Sequence, residues 1–322
     1  MICAYCGKNG KKTSEHIISR GVLELFPECN YTYNNNLKKV YQSEPVVNDV
    51  CSDCNNKKLT YIDAYATEFV KEYFMKDYEP NCNVLVNYDY NLLSKMLIKY
   101  AFNDSRALKK NISYFDEEVK SFLLNKENTL IPKNISIYGG IAVNTSAYPS
   151  FMFGNKKLLW ICNPVFLENS LIRYYDTETG QVIPRENLEN WDIKGLQFSY
   201  LFKFNSGQFI IMFWTDKEMQ QKYEKVISLM YPYTLIEPNK TNVILQRCTH
   251  AYNFHIPEII DVSWGISMAD ATNSLVRTDI NPIFIQKKLN EEWEKYEEVV
   301  RNKYFASKEE RKHKKKHRHK GS

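Results

Sequence analysis

From residue 55 onward, apolar side chains recur at Leu59, Ile62, Ala66, Phe69, Val70 and Phe74, spaced by three or four. That spacing predicts one long amphipathic helix beginning at residue 55. After a break at Glu79, Pro80 and Asn81, a second helix is expected over about 90–108, with Leu92, Leu93, Met96, Leu97, Tyr100 and Ala101 on its apolar face. A third is expected over about 115–124. From about residue 131 the period falls to two, and ISIYGGIAV, SFMFG, KLLWICN, LIRYY, LQFSYLFKF and QFIIMFW read as strands. Turn clusters at 176–180 and 205–207 separate some of them, and 201–214, split by Asn205, Ser206 and Gly207, predicts a hairpin. A helix over 217–229, a strand over 243–247 and a helix over 289–304 complete the pattern. The expected class is α+β, with helices first and an antiparallel sheet with flanking helices after them.

Ahead of these elements stand two Cys-x-x-Cys pairs, Cys3 with Cys6 and Cys51 with Cys54. A short spacing of this kind lets a tight turn aim two thiolates at one point, so the two pairs together predict a tetrahedral zinc cage. Zinc closed by four cysteines has no open position and staples the fold instead of catalysing. Cys29, Cys82, Cys162 and Cys248 lack paired spacing and read as reduced thiols, with Cys29 in a turn beside Pro27, Glu28 and Asn30. Between the pairs, 22–25 reads as a short helical turn or strand, and 31–41 as the loop and hairpin leading to the second pair.

The same stretch carries EHII at Glu15 to Ile18 and VCSDCNNKKL from Val50 to Leu59. In these residues the first 75 or so positions resemble the HNH endonucleases of the ββα-metal type, where an acidic-His dipeptide follows one cysteine pair and a second pair opens the helix. The resemblance implies a module over 1–78 in which His16 is the general base that takes a proton from the attacking water. It further implies that Glu15 and Asn55 hold a divalent cation, magnesium or manganese, against the scissile phosphate, and that Lys58 and Arg20 contact nucleic acid. The implied chemistry is consistent in itself. Phosphodiester hydrolysis needs a base and a cation to offset charge on the leaving oxygen, and oxygen donors suit a hard cation. Four positions depart from the common pattern. Glu15 stands in place of Asp, Asn55 in place of the final His, and Ser19 where a proline often follows. The middle Asn is assigned to Asn48, which lies close to Cys51, with Asn34, Asn35, Asn36 and Asp49 competing for the role.

Beyond this module the chain reads as a helical connecting region over 79–130, an α+β recognition or partner domain over 131–306, and a basic flexible tail over 307–322. The formal charge of +5 is concentrated there. Eight Lys and Arg against two Glu between 308 and 320 make the tail +6 and leave the body near −1. Attraction to DNA is therefore expected from the C-terminal arm, the alternative being a solvated tail. His313, His317 and His319 lie in the tail, and His250 and His255 five residues apart do not share a helix face. Trp160, Trp191, Trp214 and Trp264 suit either a base-stacking surface or a core, and at strand spacing the core is the commoner use. No run of 18 apolar residues or apolar leader is present, so a cytoplasmic protein is expected.

The function these features predict is a metal-dependent DNA endonuclease, with defence against foreign DNA one plausible setting. The C-terminal domain would then recognise a DNA structure, a DNA modification or a partner protein. The rival is a zinc-stapled nucleic-acid-binding protein that does not cut. It needs the four cysteines and the basic tail, but not Glu15, His16 and Asn55 together.

Overall fold

The computed structural model describes residues 1–27, 32–34, 39–41, 44–78, 82–141, 157–162, 195–230, 233–246 and 248. Strands expected at 150–154 and 171–175, the helix at 289–304, the tail, Cys29, Trp191, Trp264, His250 and His255 lie outside them. The described chain is a mixed α+β fold whose sheets are antiparallel throughout.

At the N-terminus, strand β1 (Lys12–His16) is followed by a single helical turn α1 (Arg20–Glu24), a hairpin of β2 (Thr32–Asn34) and β3 (Lys39–Tyr41), and strand β4 (Val46–Cys51). Strands β1 and β4 pair with His16 opposite Val46 and Lys12 opposite Cys51, and a bulge between Thr13 and Glu15 gives β4 one extra residue. Helix formation after the second cysteine pair starts differently from the expectation. Cys54–Lys58 is a π-helical turn, closed by Leu59 N–H on the Cys54 carbonyl at 3.0 Å, and the regular helix α2 is Thr60–Tyr73. An inserted residue of this kind lets the cysteines keep their fixed position while the following helix buries Ile62, Ala66, Phe69 and Val70.

Strand β5 (Val84–Asn87) pairs with the distant β11 (Asn242–Leu245). Helix α3 (Tyr90–Ala107) is capped by Asp89, whose carboxylate accepts from Leu92 N–H at 2.9 Å, and α4 (Glu117–Leu124) is capped in the same way by Asp116. A five-stranded sheet follows in the order β10-β6-β9-β8-β7, built from β6 (Ile135–Ile141), β7 (Leu158–Cys162), β8 (Leu196–Phe204), β9 (Gly207–Trp214) and β10 (Thr234–Leu235), with α5 (Lys217–Met230) between β9 and β10. Asn205 takes φ +47 at the β8–β9 turn, a left-handed value that asparagine tolerates. That turn docks on the end of α2. Asn205 Nδ2 and Ser206 Oγ both donate to the Phe74 carbonyl, at 2.9 and 3.1 Å.

Helix α3 is the shared wall of the molecule. The sequence pattern predicts one apolar face, yet Lys95, Lys99, Asn103, Asp104 and Ser105 are buried as well. Its second face is covered because the helix lies between the N-terminal strands and the large sheet. On the sheet side Tyr100 packs edge-on to Phe202, and Asp104 accepts from Trp160 Nε1 and Tyr200 OH, both at 3.0 Å. One apolar core consequently takes in residues from Cys3 to Leu245, with a smaller cluster of Trp214, Tyr223 and Ile227 under α5. Trp214 is buried against Tyr223 and donates to Ser136 Oγ, so it is a core residue, and Trp160 is held by Asp104. No helix among the described residues is long and apolar enough to cross a membrane.

Candidate metal centre and the polar site beside it

The sulfurs of Cys3, Cys6, Cys51 and Cys54 all lie within 4.8 Å of one another, with Cys6 and Cys51 at 3.8 Å. A zinc–sulfur bond of about 2.3 Å implies a tetrahedral edge of about 3.8 Å, so the group fits a single zinc ion. The first hook is shaped by its backbone. Gly7 takes φ +65 and donates its N–H to the Cys3 carbonyl at 2.9 Å, and a Cβ on Gly10 would lie 2.7 Å from Cys51 Cβ. Burial pushes the Cys3 thiol up, but backbone N–H groups of Cys6, Cys51 and Tyr5 outweigh it and bring the thiol down to about 7. Cys54 lacks that compensation, and burial together with the neighbouring thiols raises it. A bound zinc would take all four as thiolates.

Alongside the cage, β1 presents different residues on its two faces, as alternation along a strand requires. On the exposed face Ser14 Oγ donates to Asn48 Oδ1 at 2.7 Å, and Asn55 Nδ2 reaches the same strand, donating to Thr13 Oγ1 and to the Ser14 carbonyl, each at 3.0 Å. These bonds join Asn48 and Asn55 through the strand that ends in His16. The His16 side chain is 22% exposed, and its Nε2 lies 2.6 Å from Glu44 Oε2. An ionised carboxylate only accepts, so a neutral imidazole in this contact has its proton on Nε2 and its lone pair on Nδ1.

Glu15 points the other way. Its carboxylate is buried and sits 2.6 Å from Lys99 Nζ, which is also 2.5 Å from Asp63 Oδ1. Ser19 Oγ donates to the same Asp63 oxygen at 2.5 Å and also bonds with Tyr100 OH. Burial pushes the Lys99 ammonium down, but Asp63 and Glu15 more than reverse this and its pKa is raised. Burial raises the Glu15 carboxyl, with Lys99 offsetting it only in part. Both directions follow from two carboxylates sharing one ammonium away from water. Thus Glu15, expected to share a cation with Asn55, already has an ammonium on its carboxylate, while the Asn55 amide is held by the Thr13 hydroxyl and the Ser14 carbonyl. As it stands the Glu15 carboxylate is taken up by Lys99 and is not free to bind a divalent ion.

The two cationic residues expected at nucleic acid are at the surface. Lys58 Nζ lies 3.2 Å from Asp53, and Arg20 Nε lies 2.9 Å from Glu24. Sequence reasoning missed Glu44, Asp63, Lys99, Asn103 and Arg106. For Lys99 a signal existed, because a lysine amid the apolar run MLIKYAF either escapes to water or finds a buried anion. Glu44 had none, since its place beside His16 depends on strand register. Comparison with protein-family models, with curated proteins and with solved structures finds no match to this chain.

Proposed function

We propose that the chain is an endonuclease of the HNH type, in which the four-cysteine zinc cage fixes a strand pair and His16 acts as general base on a phosphodiester. The observation that carries this reading is the His16–Glu44 pair at 2.6 Å, at the partly exposed end of β1, the strand whose other end pairs with Cys51 of the cage. A base held by a carboxylate keeps one tautomer and one orientation, which is what proton abstraction from a water requires. Asn48 and Asn55 support the same reading, because both are bonded to the strand that carries His16. With its Nδ2 donating to that strand, the Asn55 amide presents Oδ1 as its remaining polar atom. No step is assigned to a magnesium or manganese ion, given the engagement of Glu15 by Lys99. DNA is the proposed substrate and the basic arm over 307–322 a proposed auxiliary contact.

That engagement favours one second reading, a zinc-stapled nucleic-acid-binding protein that does not cut. A plasmid-nicking assay with magnesium or manganese separates the two. The endonuclease reading expects nicking by the wild type and its loss in His16→Ala; no nicking by the wild type, or equal nicking by the variant, removes it.

A further inference from the structure

Helix α3 faces the N-terminal module with three polar side chains, Lys99, Asn103 and Arg106, spaced so as to lie along one side of a helix. All three are buried or nearly so, and each is bonded to a different part of the module. Arg106 Nη1 donates to Asp49 of β4 at 2.6 Å, and its guanidinium lies over the rings of Tyr5 and Phe102, 5.0 and 4.4 Å from their centroids. Asn103 is the joint. Its Oδ1 accepts from Tyr5 OH and from Arg106 Nη2, both at 2.6 Å, and its Nδ2 donates to the backbone carbonyl of His16 at 2.8 Å. Tyr5 lies between Cys3 and Cys6, inside the first hook of the cage. One fully buried amide thus spans the metal hook and the residue at the end of β1.

We propose that Asn103 is a positioning residue for His16, tying the imidazole's backbone to the cage through Tyr5 so that a filled cage and a correctly placed base go together. This rests on the reading of His16 as the catalytic base. The reason for assigning the task to α3 is geometric. His16 is the last residue of β1; Glu44 holds its ring, β4 pairs with its backbone from one side, and the Asn103 bond to its carbonyl supplies a further attachment of that backbone. Misplacement by a fraction of an ångström is enough to slow an attack that depends on near-contact geometry.

The test uses the full-length, zinc-loaded chain. Asn103→Asp keeps the acceptor for Tyr5 and Arg106 but removes the donor to the His16 carbonyl, and Tyr5→Phe removes only the hydroxyl. Asn103→Asp is expected to retain zinc and helicity, to lower kcat for plasmid nicking on the order of tenfold to a hundredfold with KM unchanged, and to move the His16 imidazole cross-peak in proton–nitrogen NMR. That peak is identified by its absence in His16→Gln. Tyr5→Phe is expected to move the same peak in the zinc-loaded protein. A His16 peak at the wild-type position in a folded Asn103→Asp protein overturns the proposal. If that variant does not fold, an unmoved peak in Tyr5→Phe overturns it instead. Because the peak is read without cleavage, a wild type that does not nick DNA defeats the endonuclease reading and leaves the Asn103 link to be decided by NMR.

Discussion

His16 Nε2 and Glu44 Oε2 stand 2.6 Å apart although the residues are 28 positions apart in the chain. The pairing of β1 with β4 sets His16 opposite Val46, and Glu44 lies just before that strand begins. Replacing Glu44 by Gln keeps a side chain of the same shape but removes the charge that complements a protonated imidazole. If His16 is the base, His16→Ala loses about 10²- to 10⁴-fold in nicking rate, and Glu44→Gln loses less but measurably. Single-turnover nicking rates check this. A Glu44→Gln protein as fast as the wild type removes Glu44 from the site.

The cage makes a prediction that does not involve DNA. Cys51 is both one of the four clustered sulfurs and the last residue of β4, with its backbone N–H on Cys3 Sγ at 3.3 Å. Cys51→Ala leaves three sulfurs and an incomplete site, and because zinc binding and folding are coupled in small metal modules, both fail together. Metal analysis of the purified variant is expected to find no bound zinc, with loss of soluble yield. One equivalent of zinc retained by Cys51→Ala contradicts a four-cysteine site.

Much of this arrangement could be read from the chain. Spacing alone located Cys3, Cys6, Cys51 and Cys54, and periodicity located α3, β8, β9 and α5 to within a residue or two, because these patterns are local. The opposite exposure of Glu15 and His16 could not be read with the same ease. Alternation along a strand puts neighbours on opposite faces, but which face meets α3 is decided by packing. Lys99 sits 84 positions from Glu15, and only the fold brings an ammonium to that carboxylate. The π-helical turn at Cys54 escaped notice for a related reason, since apolar spacing does not register one inserted residue.

Lys99 supplies a stability prediction. Its side chain is fully buried against Glu15 and Asp63. Lys99→Met strands a buried Glu15 carboxylate, and removing one partner of a buried pair costs about 3–5 kcal/mol. Adding Glu15→Leu takes away the stranded charge and is expected to recover a large part of the loss, since apolar replacement of a buried pair is often neutral. Urea denaturation of the two variants checks the order. A single variant as stable as the wild type shows that the ion pair contributes nothing.

Asp104 gives a pH dependence. Burial raises its carboxyl above the ordinary value, while hydrogen bonds from Tyr200 and Trp160 pull it down only partly. A carboxylate whose folded-state value is raised holds its proton more tightly folded than unfolded. Its contribution therefore weakens the fold as pH rises from the ordinary aspartate value of 3.8 through the raised one. Asp104→Asn cannot titrate and forfeits one acceptor, so it starts less stable at acid pH. Its deficit relative to wild type is expected to narrow as pH rises above 3.8 through the raised value. Thermal melts across that range decide, and a deficit that widens reverses the sign of the argument.

Charge along the chain makes the final prediction. Residues 308–320 carry eight Lys and Arg against two Glu, while the remainder is close to neutral, so sequence-independent attraction to DNA is expected to depend on that arm. Each phosphate neutralised contributes about 0.9 to the slope of log affinity against log salt on duplex DNA. Ending the chain after Ala306 is expected to weaken binding mainly at low salt and to flatten the slope by that amount for every phosphate the arm no longer neutralises. Fluorescence anisotropy on a short duplex at several salt concentrations measures both, with His16→Ala as the background so that cleavage does not interfere. An unchanged slope in the shortened chain assigns DNA attraction to the body, whose near-neutral charge would then have to be distributed as a local basic face.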